Sequence, residues 1–156
     1  MGAVASAVRS PLIETKSGPV RGREYLLNDG RVVDMYMGIP YAEPPVGKLR
    51  FQKPQPVTPW TEEMDCVKFG PRCPQTDEYF AQVRGIRQWI CSAHHVMPFQ
   101  FINIVGKDEA NCLTLNVFAP RWRQDEDKKH AVMVWVHGGG FSIHSSSNYG
   151  DTSIAR

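Results

Sequence analysis

The amino-acid sequence predicts an α/β fold, of which it holds a β-hairpin and the first strands of a central sheet. Two apolar runs and one turn signal carry that prediction. Ala131-Val132-Met133-Val134-Trp135-Val136 is six apolar residues without a polar break. It is too short for a free-standing helix and rich in β-branched valine, so it reads as a strand buried on both faces. Leu113-Thr114-Leu115-Asn116-Val117 reads as a second such strand, and strands of this kind belong in a sheet covered by helices on both sides. The hairpin comes earlier in the chain, where residues 18–26 and 31–37 flank Asn28-Asp29-Gly30, a turn with its chemistry in place.

Taken in order, the chain opens on Met1-Gly2-Ala3-Val4-Ala5-Ser6. The spacing fits N-myristoylation, with Gly2 exposed after removal of Met1 and Ser6 at the required place. One acyl chain holds a protein only marginally on a membrane, and Arg9 and Lys16 add little, so weak membrane association through Gly2 is the most it implies. Arg9, Ser10 and Pro11 interrupt any apolar core of a secretion signal, which favours a cytoplasmic setting. Residues 1–15 are expected to be a flexible terminus, with the structured part running over 16–156.

After the hairpin, the three prolines within 38–51 exclude a helix or a central strand, so an ordered, extended loop is expected there. Asp77 to Ile90 spaces its apolar residues as a short amphipathic helix would. His94 and His95 are adjacent, point different ways and lack a third ligand at helical spacing, so they read as surface polar residues rather than a metal site. The charged run Arg121 to His130 lies between two strands and reads as a solvated turn. The final strand then runs into His137-Gly138-Gly139-Gly140-Phe141. Three glycines let the backbone turn where other residues cannot and remove every Cβ that would hold a ligand off the main chain. Bare N–H groups at the end of a buried strand form a receptor for an anion or an oxyanion. A turn that merely closes the strand is the plain alternative.

Composition narrows the field. The 156 residues are 42% hydrophobic and 22% charged, the balance of an ordinary globular chain that can bury a core. Net charge is +2 with acids and bases interspersed, so nothing argues for nucleic acid as a partner. No apolar run approaches the length of a membrane-spanning helix. Cys66, Cys73, Cys91 and Cys112 show neither a C-x-x-C pair nor zinc spacing. No cofactor or metal is implied.

Several short motifs fall in one order. Gly38-Ile39-Pro40-Tyr41-Ala42 is followed by Pro44-Pro45-Val46-Gly47 and Leu49-Arg50-Phe51, then by Trp60 after Pro54-Gln55-Pro56, Cys73-Pro74-Gln75, Cys112-Leu113-Thr114-Leu115-Asn116-Val117 and His137 to Phe141. From about Lys16 to the end the chain resembles the type-B carboxylesterases, the carboxylesterase and cholinesterase family. Counting the 38–51 series as one, five ordered motifs make that specific where each alone would be weak. The resemblance implies the N-terminal part of an α/β-hydrolase fold, incomplete here, and an enzyme that hydrolyses small carboxylic esters through an acyl-serine. By the same resemblance Gly139 and Gly140 donate N–H groups to the oxyanion, Gly138 supplies the turn, and Cys73 pairs with Cys112. A cytoplasmic setting leaves the oxidation of that pair open. Trp89 invites comparison with the choline-binding tryptophan of cholinesterases, but the longer stretch from Cys73 to Cys112 loses the register, and a packed aromatic is the better reading.

Three departures from the family pattern stand out. The acid that usually sits two residues before the second cysteine is Ala110, which leaves Arg50 to Glu109 or to solvent. His144 stands where glycine is common. No G-x-S-x-G elbow occurs in the 156 residues, so the chain alone lacks the nucleophile, acid and base of a triad and is expected to be inactive. Two other readings fit the same residues: a non-catalytic binding or adhesion module of the cholinesterase-like kind, and a truncated gene product without independent function.

Overall fold

The computed structural model describes residues 8–75, 106–121 and 130–155. Five strands form one sheet: β1 (Arg9–Glu14), β2 (Pro19–Leu26), β3 (Val32–Pro40), β4 (Met64–Asp65) and β5 (Thr114–Pro120). Their order is β1-β2-β3-β5, with β4 beside β2. The β2–β3 hairpin turns at Asn28-Asp29-Gly30, where the Leu27 N–H donates to the Arg31 carbonyl and the Gly30 N–H to Leu27. The β2–β3 ladder ends at Arg23 and Met35, and β4 pairs in parallel with Val20 and Arg21 of β2. β5 lies antiparallel on the other edge of β3, from Val33 opposite Pro120 to Pro40 opposite Thr114.

β3 is the centre of the sheet, and Val33 to Met37 are buried without interruption. Its side chains serve two cores, as alternation across a strand requires. Val33, Met35 and Met37 pack with Leu27 against Tyr25, Phe69 and Phe118. Tyr36 packs with Val20 and Cys66 against Ile39, Trp60 and Met64. The one acid in the run, Asp34, is met by the Arg121 guanidinium, which also reaches Glu24 at 2.7 Å. A buried carboxylate without such a partner would cost several kcal/mol (roughly 3–5). After a 3-10 turn at Ser146–Tyr149, the short helix α1 (Thr152–Ala155) is held to β2 by the part-buried Arg23–Asp151 ion pair.

The structure departs from the sequence expectation in three places. The sheet begins at Arg9, inside the stretch expected to be flexible, because Arg9 pairs with Asp65 and the buried Ser10 hydroxyl accepts the Gly22 N–H at 2.8 Å. β5 is an antiparallel strand, and its Leu115 and Val117 side chains stay 41% and 42% exposed instead of being covered on both faces. The third correction concerns Ala131 to Val136, which forms no strand and pairs with none of the described strands. Val132 to Val136 are 69–89% exposed. An apolar run on both faces needs neighbours on both edges and both sides, and the described residues supply no strand beside it and one ring contact, Trp135 edge-on to Tyr149 at 5.7 Å. The expected helix at 77–90, Trp89, Cys91, the His94-His95 pair, Gly2 and most of the charged turn (122–129) lie outside the described residues.

Candidate functional site

The glycine turn is built from the sheet outward. On β5, the Asn116 side chain reaches both ways: its Oδ1 accepts the Gly38 N–H at 2.9 Å, and its Nδ2 donates to the Ser146 hydroxyl at 2.9 Å. Gly38 has φ 76, and a Cβ there would lie 2.7 Å from the Lys68 carbonyl, so the bend that interrupts the β3 ladder needs glycine. Asn116 thereby joins the bent end of β3 to the segment that follows the glycines.

A second support comes from 72–75 and 106–112. Cys73 and Cys112 are bridged, with Cα atoms 4.9 Å apart. Arg72 exchanges backbone hydrogen bonds with Gly106 and Asp108, and its own side chain is buried. Three residues on, the Gln75 side-chain amide brackets the backbone of His144. Its Oε1 accepts the His144 N–H at 2.8 Å, and its Nε2 donates to the His144 carbonyl at 3.0 Å and to the Cys73 carbonyl at 3.1 Å.

Held at that end, the chain from Gly138 to Ile143 folds back on itself. The Gly139 carbonyl accepts the N–H groups of Ser142 and Ile143, both at 3.1 Å, and the Gly140 carbonyl accepts the Ser142 hydroxyl. Gly139 has φ 130 and Gly140 φ 59, values that L side chains rarely adopt, and a Cβ on Gly139 would run into the Ile143 carbonyl. Phe141 and His144 hold φ 59 and 80 without being glycine, a strained local backbone. The Gly139 and Gly140 carbonyls are occupied, whereas the N–H groups of Gly138, Gly139 and Gly140 meet no acceptor among the described residues. All three glycines line a cavity of about 470 Å³, together with Tyr41, Arg72 and Gln75.

Set against known proteins, residues 9–156 match the model of the carboxylesterase family. The chain belongs to the carboxylesterase family. Esterase cest-33 of Caenorhabditis elegans is 45% identical over 138 residues, which cover 88% of this chain and 22% of that protein. Acetylcholinesterase 1 of the same organism is 40% identical over 79% of this chain and 18% of that one. Among solved structures, a thermophilic PNB esterase superposes with a TM-score of 0.63 at 31% identity, covering 88% of this chain and 23% of its own. The chain therefore spans about a fifth of the length of the relatives it matches, and its sheet is a partial α/β-hydrolase fold.

Within this carboxylesterase piece, the two departures noted at 110 and 144 have local answers. Arg50 pairs with Glu109 and lies over the Phe51 ring, 5.2 Å from its centroid, so the acid next to Ala110 takes the vacant role. His144 takes the left-handed backbone that a glycine would take without strain, and Gln75 holds it there. Gln75 and Asn116 belong to motifs that marked the resemblance, yet the sequence assigned neither a task. Their bonds span 69 and 78 residues, which no local pattern reveals.

Proposed function

We propose that this chain supplies the oxyanion-receiving part of a carboxylic ester hydrolase that works through an acyl-serine. Gly139 and Gly140 are the N–H donors and Gly138 supplies the turn. The observation that supports the reading is the polarity of the loop: the Gly139 and Gly140 carbonyls are used internally, while the N–H groups of the three cavity-lining glycines meet no acceptor among the described residues. When a nucleophile attacks an ester carbonyl, negative charge gathers on the oxygen. Donors already fixed in place stabilise that charge without reorganising. The cavity wall supplies no serine elbow, because none occurs in the 156 residues. The attacking serine and its acid and base belong to further chain of the kind the family carries.

The test is a chimera in which residues 9–156 replace the matching stretch of the thermophilic PNB esterase. It should hydrolyse an aryl ester. Gly140→Ala, which has open space for its Cβ but moves the N–H by straining φ, should lower kcat by about a hundredfold or more with KM little changed. Undiminished turnover in that variant would sink the oxyanion role. The 156-residue chain alone should show no turnover above background. Turnover by pure protein that resists a serine-directed inhibitor would reveal a nucleophile of another kind.

A further inference from the structure

We infer that Gln75 is a positioning residue for the glycine turn, acting on Gly139 through the backbone of His144. The inference rests on the oxyanion reading for its purpose, though not for its geometry. The glycine turn has two anchors. At its inner end the Gly139 carbonyl holds the N–H groups of Ser142 and Ile143, which fixes the direction of the peptide planes on either side. At its outer end His144 sits at φ 80, a conformation that strains a non-glycine residue and would relax if left alone. One planar side-chain amide opposes the relaxation by meeting both the N–H and the C=O of His144. A single bond would permit the peptide to swivel about it. Two bonds from one rigid plane set its orientation.

The clamp itself is tied down. The Gln75 carbonyl accepts the Lys107 ammonium at 2.9 Å, Gln75 Nε2 also donates to the Cys73 carbonyl, and Cys73 is bridged to Cys112 at the foot of β5. The position of the glycine N–H groups is thus passed from the sheet, through the bridge and one glutamine, to the turn. Relaxation of His144 would draw Ile143 with it, release the Gly139 carbonyl and rotate the donors away from the cavity.

Amide hydrogen exchange of the 156-residue chain, read residue by residue, tests this. In Gln75→Leu the His144 N–H should exchange about tenfold faster. The same acceleration should appear at Ser142 and Ile143, whose bonds report the turn, while Leu27 in the hairpin and Met37 on β3 keep their rates. Gln75→Glu keeps an acceptor for the His144 N–H but loses the donor to its carbonyl, so His144 should stay protected while Ser142 and Ile143 exchange faster. Acceleration at His144 alone would overturn the inference, because the turn would then hold itself. If Gln75→Leu loosens Leu27 and Met37 as well, Gln75→Glu decides. Acceleration confined to Ser142 and Ile143 supports the clamp, whereas full protection there, or loosening everywhere, ends the proposal. This readout involves no ester. Full turnover of the Gly140→Ala chimera would remove the oxyanion reading and leave the clamp standing.

Discussion

Opening the Cys73–Cys112 bridge by Cys112→Ala should cost this chain a large share of its stability. The bridge spans 39 residues, and the entropy withheld from the unfolded chain by a loop of that length corresponds to about 4 kcal/mol at 25 °C. The folded state loses little besides, since among the described residues the Cys112 sulfur otherwise has a weak 3.9 Å contact with the Glu109 carbonyl. Urea unfolding at low micromolar concentration, followed by tryptophan fluorescence, would read the change. With a slope of roughly 2 kcal/mol/M for a chain of this size, the midpoint should fall by about 2 M. Cys73→Ala should fall equally, and the double variant no further, because one bond is lost in each case. A shift below about 0.5 M at unchanged slope would refute the reasoning. It would mean that the unfolded chain keeps residues 73 and 112 together without a bond.

Three further outcomes are expected. His144→Gly should raise the urea midpoint, by about 1 kcal/mol in stability, since glycine adopts φ 80 freely; a lowered midpoint would show that the imidazole's own contacts outweigh the strain. Burial, aided by Asp65, pushes the Cys66 thiol up to about 11, so the folded chain keeps a proton that the unfolded thiol gives up near pH 8.5. That contribution is complete below pH 8.5 and is lost as pH rises toward 11. Stability should therefore fall more steeply over that window in the parent chain than in Cys66→Ala, and parallel curves would contradict it. Finally, the exposed run Val132 to Val136 has the high β-propensity and absence of charge that drive strand-to-strand association. The chain should aggregate on concentration and Val134→Lys should delay it by light scattering, with equal onset in both chains the result against.

Legibility in the sequence divided along physical lines. The hairpin could be read because Asn28-Asp29-Gly30 determines its own geometry within a few residues. The left-handed backbone at Gly139 and Gly140 could be read for the same reason. Alternation and β-propensity marked 113–117 as a strand, but not that it would lie antiparallel on β3, which depends on residues some 80 positions away. For 131–136 the same signals gave a strand where none is paired, since propensity measures fitness for a sheet and not the presence of a neighbour. β1 escaped notice because what fastens it is a serine hydroxyl plugging a bulge and an arginine on a distant acid. The glycines of the site were visible as motif, whereas the side chains that hold them, Gln75 and Asn116, act on backbone far along the chain.

The pairing of β3 with β5 also sets a timetable. β2 and β3 are joined by a short turn and can zip within microseconds of being made. The partner for β3's other edge lies 74 to 87 residues further along. At ribosomal speeds of about 5–20 residues per second, that edge waits on the order of 4–16 s for its strand. The nascent hairpin must pass this interval without recruiting a stranger. Two features of β3 suit it to the wait: the ladder is broken between Tyr36 and Ile39, and Pro40 at its end has no N–H to offer. Both blunt an open edge, so a bend that later serves the site first serves as a guard during synthesis.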